Sequence, residues 1–403
     1  MNDSRYRCVI VAAGGLLGCV AAGAMFSLPV LLQSIVRDTG WSVAGVSSVM
    51  TVGFIALAIG SMAWGTLSDR YGQRPVVLTG VIVLATGLSL ASRATSLIEF
   101  QLFFGLLVGG ATAAIFAPMM ACVTGWFDTH RSLAVSLVSA GMGIAPMTMS
   151  PLVAWLVTTH DWRTTLQIVA GIVAAIMIPA ALLVRRPPAL VGGNAAASAG
   201  GPPSEMSLGQ AVRSPQFIIL LATNFFCCAT HSGPIIHTVS YAVSCGIPLI
   251  AAVSIYSLEG LAGLFGRIAF GLLGDRLGAK RVLVAGLLVQ AFGALGYLFV
   301  RELAAFYAVA ALFGFIYAGV MPLYSVLARE NFPLKMMGTV IGGLAMAGSL
   351  GMATGPIAGG LIYDAFGSYA WLYIGAWGMG IGAFFMAMTF RPFPKSQPSP
   401  LPA

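Results

Sequence analysis

Charge is what this chain has least of. Of 403 residues, 12 are acidic and 20 basic, 8% in all, where a soluble domain runs near a quarter charged. Too few charges remain to cover the surface of a soluble protein of this length, and that class is set aside. Cysteine is also sparse, at six. Cys8, Cys19, Cys122, Cys227, Cys228 and Cys245 lie in or near apolar runs, without metal-ligand spacing or paired extracellular loops. They read as small apolar residues rather than a disulfide or metal framework. No run presents a His/Asp/Glu metal set or a nucleophile beside a base, which argues against an enzyme and against a cofactor. No polar stretch is long enough for a separate signalling domain, which argues against a receptor.

Hydrophobic residues, in contrast, make up 58% of the chain, glycine numbers 50, and the mean hydropathy is +0.93. Apolar segments of helix length run at about 8–33, 43–67, 75–93, 97–124, 132–158, 163–184, 215–243, 247–273, 281–300, 302–328, 338–362 and 369–390. The expected fold is an all-α membrane protein of twelve transmembrane helices in two six-helix bundles. The abundant glycine suits helices packed closely in a bilayer. The first segment is too long for a signal-peptide core and contains Pro29, so it reads as a retained span.

Gly65-Thr-Leu-Ser-Asp69-Arg70-Tyr-Gly72-Gln-Arg74 recurs 206 residues on (271 minus 65) as Gly271-Leu-Leu-Gly-Asp275-Arg276-Leu-Gly278-Ala-Lys280-Arg281. A charged G-x-x-x-D-R-x-G turn repeated at half the chain length signals an internal duplication. Mechanically, Gly65 and Gly271 are expected to let two helices approach closely. Asp69 and Asp275 would face helix N-termini, and Arg70 and Arg276 would bind those acids or lipid phosphate. Such a cluster could latch a gate. The turn resembles the loop signature of the major facilitator superfamily, and the resemblance implies a transporter.

Basic residues set the orientation. With both termini in the cytoplasm, 15 of the 20 Lys and Arg side chains lie on the cytoplasmic side, Arg37, Arg93, Arg163 and Arg301 lie outside, and Arg267 is left within a helix. That bias accounts for the net charge of +8 without nucleic acid, and points to anionic lipid headgroups as the electrostatic partner. The expected domains are a bundle over 1–184, a cytoplasmic linker over 185–213 containing Gly192-Gly193 and Pro202-Pro203, a second bundle over 214–391 and a disordered tail over 392–403. The expected place is the inner (plasma) membrane, as a monomer.

Several patches resemble the monocarboxylate transporters and the oxalate:formate antiporter. These are Trp126-Phe127 with Arg131-Ser-Leu133-Ala134 and Ala140-Gly141-x-Gly143, Pro29 with Gly40-Trp41-Ser42, and Gly266-Arg267 eight residues before Asp275. The resemblance implies that Arg267 binds a substrate carboxylate. The chain departs from that pattern at Val30 and Gly263, where the relatives carry a lysine and an acid, and residues 338–362 hold no basic side chain. A second anion site and the usual proton acid are not carried over.

Read from the residues alone, a charge within the bilayer is costly and is a functional candidate by default. Arg267 and Glu259 on helix 8 qualify, with His231 and His237 on helix 7. Arg267 is a permanently charged fork suited to a carboxylate, or else a structural arginine held by helix-end carbonyls. Glu259 can carry a proton, or else stay neutral and bond a neighbouring helix. The two are two turns apart, roughly 12 Å along the axis, too far to pair directly. Each histidine is a proton-transfer candidate or a packing residue. Asn224, Tyr241, Tyr256, Tyr317 and Tyr324 are cavity candidates, with Arg267, Tyr256, Asn224 and Tyr317 taken as the substrate set. Gly342, Gly351, Gly355, Pro356, Gly359 and Gly360 on helix 11 resemble the antiporter motif of drug exporters, but read mainly as a packing hinge. The expected activity is alternating-access transport of a small mono- or dicarboxylate with a proton; the alternative is proton-driven export of amphipathic drugs or metabolites.

Overall fold

The computed structural model describes residues 3–126, 131–185, 207–332 and 337–392, and among these there are helices and turns but no strand. Twelve helical segments are long and apolar enough to cross a membrane. In the first half, α1 has two pieces, Asp3–Met25 and Ser27–Thr39, followed by α2 (Val43–Tyr71) and α3 (Gln73–Ala91). α4 runs through Leu97–Phe100, Gln101–Val108 and Gly109–Trp126, then come α5 (Arg131–Thr159) and α6 (Trp162–Leu182). The second half holds α7 (Pro215–Ser244), α8 (Leu249–Leu277), α9 (Ala279–Gly296), α10 (Leu303–Asn331), α11 (Met337–Phe366) and α12 (Ala370–Thr389). An even number of spans puts both chain ends and the α6–α7 connection on one side, called here the linker face; the other is the far face.

Sequence punctuation explains most boundaries. α1 breaks at Phe26, three residues before Pro29, whose ring clashes with the preceding turn and whose nitrogen donates nothing. Ser27 Oγ bonds the Ala24 carbonyl at 2.7 Å beside the break. Ser42, Ser96, Asp161 and Ser214 cap α2, α4, α6 and α7 by accepting from backbone N–H groups in the first turn. Leu208–Arg213 forms a short helix with a Ser207–Gln210 capping box. The end of the expected linker is therefore helical, because that box satisfies its first turn. Residues 186–206 and 393–403, expected as flexible linker and tail, lie outside the described residues.

The duplication is visible in the backbone. Gly72 and Gly278, the last glycines of the repeated turn, have φ of 92° and 90°, and Gly40 and Gly246, also 206 residues apart, have 73° and 88°. Only glycine adopts that region freely, so the turns need it. Helix pairing repeats as well: α1 packs on α5, α2 on α4 and α3 on α6, while α7 packs on α11, α8 on α10 and α9 on α12. The halves meet along α2–α11 and α5–α8.

One expectation is corrected. A Cβ built on Gly65 or Gly271 meets nothing within 4 Å among the described residues, so neither marks a close helix approach. The tight crossings lie deeper in the membrane, where Gly109 meets Gly53, Gly141 meets Gly15, Gly266 meets Phe315 and Gly351 meets Phe225. Near the motif, the positive-φ glycine of the turn is the constrained one. Two far-face arginines also find a reason: Arg163 Nη1 binds the Ser92 and Ala94 carbonyls at 3.0 and 2.7 Å, and Arg301 Nη1 binds those of Leu298 and Val300 at 3.1 and 2.8 Å. Each caps the negative end of an equivalent helix, α3 or α9.

Candidate functional site

Arg267 lies where the halves meet. From α8 its Nη1 donates to the Ser139 carbonyl of α5 at 3.0 Å. A Cβ on Gly143, one turn along α5, would stand 3.2 Å from the same nitrogen. Gly143 thus leaves room for the guanidinium, while Gly141 faces Gly15 on α1. The ion pair found among the described residues is Arg37–Asp38, far from here. Among the described residues, Arg267 therefore faces a backbone carbonyl and no carboxylate.

Glu259 sits two turns nearer the far face and points another way. It is 1% exposed and is the one acid among the buried described residues. Its side chain packs on Gly314 of α10. Oε2 accepts from Tyr297 Oη at 3.4 Å, and Oε1 has no partner. Tyr317 on α10 feels the charge of both Glu259 and Arg267, and its ring stacks on His231 at 5.0 Å between centroids. His231 Nδ1 stands 3.1 Å from Gln290 Nε2, which also donates to the Cys227 carbonyl at 3.1 Å. Tyr256, 3% exposed, shares the electrostatic neighbourhood of Glu259 and Tyr317. Arg267, Tyr317, Glu259, Tyr256 and His231 are thus gathered into one polar region. Gln290 and Tyr297, which complete it, were not among the expected residues. The rule applied to buried charges would have found Gln290, since a lone amide deep in an apolar helix needs partners too.

His237 and Asn224, both on α7, face α11 instead. Pro356 lacks an N–H, so the Met352 carbonyl one turn back has no donor within its helix. Ser232 Oγ bonds it instead. His237 Nε2 donates to the Pro356 carbonyl at 3.1 Å, and Asn224 Nδ2 to the Leu344 carbonyl at 2.7 Å. From α2, Thr51 Oγ1 reaches the Ala353 carbonyl at 2.7 Å. Gly351 and Gly355 bring the α7 backbone against α11, and Gly360 does the same for α2 at Ala44. The glycine-rich pattern of α11 thus serves packing and side-chain capping around a proline. Tyr241 Oη reaches the Val300 carbonyl at 3.0 Å and Tyr324 Oη that of Thr223 at 3.3 Å, so both tie helices together.

At the repeated turn, Arg70 lies over the Tyr71 ring at 5.4 Å and Arg276 is exposed. The Asp69 and Asp275 side chains lie outside the described residues.

Two six-helix halves related by an internal repeat, with a charged side chain held between them, are the architecture of a membrane transporter. The profile of the Major Facilitator Superfamily matches residues 14–342 and 260–403, and the chain belongs to that family. It is 29% identical over 273 residues to monocarboxylate transporter 13 of Rattus norvegicus, covering 68% of this chain and 62% of that protein. It is 30% identical over 400 residues to monocarboxylate transporter 3 of Mus musculus, covering 96% and 80%. Among solved structures, a bacterial homologue of the human lysosomal transporter Spinster, in an inward-facing and occupied conformation, superposes with a TM-score of 0.75 at 16% identity, covering 95% and 96%. That likeness concerns the fold alone.

Proposed function

We propose that the chain carries a small organic anion, a monocarboxylate first of all, across the inner membrane by alternating access, together with a proton. Arg267 is the observation that carries this reading. A permanently charged fork half-buried between two halves needs a partner, and among the described residues it has one backbone carbonyl. A carboxylate can accept two parallel hydrogen bonds from a guanidinium, which a single carbonyl cannot. The names of the relatives, monocarboxylate transporters 13 and 3, support the substrate class. The chain spans 62% of the first of these, so the inference is made for the described site and not for the whole relative.

In this reading Glu259 takes up the proton. Its free Oε1 is open to protonation, and Tyr317 is within electrostatic reach of both Glu259 and Arg267. Tyr256 joins the same cluster, and His231 borders it through its stack on Tyr317. Asn224 and His237 contribute by holding α11 rather than by direct contact with the anion. The linker face would be cytoplasmic, as the 15-to-4 distribution of basic residues supports.

The drug-exporter alternative rests on an apolar cavity and on the glycine and proline pattern of α11, and packing on α7 and α2 accounts for the second. A thermal-shift screen of the purified protein against short mono- and dicarboxylates and cationic drugs separates the two readings. Stabilisation by carboxylates that disappears in Arg267→Ala supports the proposal. Stabilisation by cationic drugs alone would sink it.

A further inference from the structure

At the far face, α11 ends on an acid that crosses to the other half. Asp364 Oδ1 accepts from the Val43 backbone N–H at 3.2 Å, and Oδ2 from that of Ala44 at 2.9 Å. These are first-turn amides of α2, where N–H groups lack helical partners and the helix dipole favours an anion. Asp364 thus caps a helix 320 residues away in sequence. Ser42, the local cap, takes the next amide, that of Gly45, at 3.0 Å. Gly360, one turn before Asp364, lies against Ala44, and Thr51 reaches the Ala353 carbonyl two turns further in. Ala44, Ser47 and Thr51, spaced three and four residues apart, form one face of α2. Ser47 is fully buried there.

The register adds a second observation. Asp364 stands two residues before the end of α11 at Phe366, and Asp69 stands two residues before the end of α2 at Tyr71. The two helices are antiparallel partners across the halves. Each therefore carries an acid in its last turn, at opposite faces of the membrane. Counting back 206 residues from Asp364 gives Thr158, so the internal repeat supplies no second copy of this acid.

We propose that Asp364 is the latch of the far-face gate, closing it by capping α2 from α11. The inference rests on the alternating-access reading for its place in the cycle, since a gate that closes one face must release when that face opens. Breaking two charge-assisted bonds is the cost of that release.

The test uses Ser47→Cys as reporter, in full-length protein in nanodiscs, with a hydrophilic maleimide. Its labelling rate is read above that of the parent with its native cysteines. Asp364→Asn keeps the shape and removes the charge, and the Ser47→Cys rate is expected to rise about tenfold. An unchanged rate in protein with the parental melting temperature and elution volume would overturn the latch. If the Asn variant does not fold, Asp364→Glu replaces it, where a longer, misplaced carboxylate should raise the rate as well; no rise there overturns the proposal. A second reporter, Ser139→Cys on the α5–α8 contact, separates the two ideas. A fall in its labelling alongside the rise at Ser47→Cys supports latch and alternation together. A rise at Ser47→Cys with Ser139→Cys unmoved supports the latch and counts against alternating access.

Discussion

The two halves share a scaffold and differ in what they bury. Counting back 206 residues from the polar groups of the second half gives Gly53 for Glu259, Ser61 for Arg267, Met25 for His231 and Leu31 for His237. Gln290, Tyr297 and Tyr317 become Leu84, Ala91 and Ala111. The positive-φ glycines Gly40 and Gly246, and Gly72 and Gly278, and the order of helix pairing, recur in both halves, while these polar groups stand in the second alone. A buried charge or unpaired amide is costly in lipid, so a duplicated fold has no reason to hold it twice unless both copies are used. What the first half gives the site is backbone: the Ser139 carbonyl for Arg267 and the Val43 and Ala44 amides for Asp364. At Arg267 and Asp364 the second half supplies the side chain and the first half the backbone it grips.

This asymmetry can be broken most severely at Arg267. Arg267→Ala is expected to abolish carboxylate binding in well-folded protein, and Arg267→Lys to weaken it by about 1.5–3 kcal/mol, the worth of a charge-assisted hydrogen bond. Ser61→Ala, its counterpart, should leave affinity unchanged. Calorimetric titration of the purified variants decides it, and equal losses at both positions would refute the division of labour. Next comes Glu259→Gln, which should abolish uphill uptake driven by a pH gradient while substrate exchange across proteoliposomes survives. Gradient-driven accumulation at the parental level would place the coupling group elsewhere.

A smaller effect sharpens the role of α11. Ser232→Ala orphans the Met352 carbonyl freed by Pro356, and should cost about 1–3 kcal/mol, the penalty of a buried unsatisfied acceptor. Thermal unfolding in detergent reads it, and a melting temperature equal to the parent's would show that the proline kink needs no outside donor. The smallest effect belongs to the first half. Asp161→Ala removes the α6 cap, for roughly 0.5–1 kcal/mol at this exposed position. Hydrogen bonds from the Thr164 side chain and backbone hold the Asp161 carboxyl below its ordinary range. The cap's contribution is therefore present above the ordinary aspartate range and lost as pH falls through the lowered value. A melting temperature that falls with acidification equally in parent and Asp161→Ala would show that the cap plays no part.

Composition, hydropathy and the 206-residue repeat together determined the twelve spans, the two halves and the family. They could do so because membrane insertion reads local quantities: runs of about 20 apolar residues, and arginines that stay on one face. The isolated charges Arg267 and Glu259 were legible for the same reason, since each stands out against an apolar run. The sequence placed both on helix 8 but could not give their facing. Eight residues of helix turn one towards α5 and the other into α9 and α10, and only the packed bundle shows which neighbour each meets. Gly65 and Gly271 show the opposite case: a repeated motif pointed to close packing, yet the crossings fall at Gly53, Gly141, Gly266 and Gly351, where helix pairs from distant sequence touch. His237 and Asn224 looked like cavity groups, and tertiary structure spent them on carbonyls of α11. Nothing local in the sequence marks Asp364, because its partner lies 320 residues away. Contacts between helices depend on rotation and approach, which no single stretch of sequence encodes; they were decided when the two halves came together.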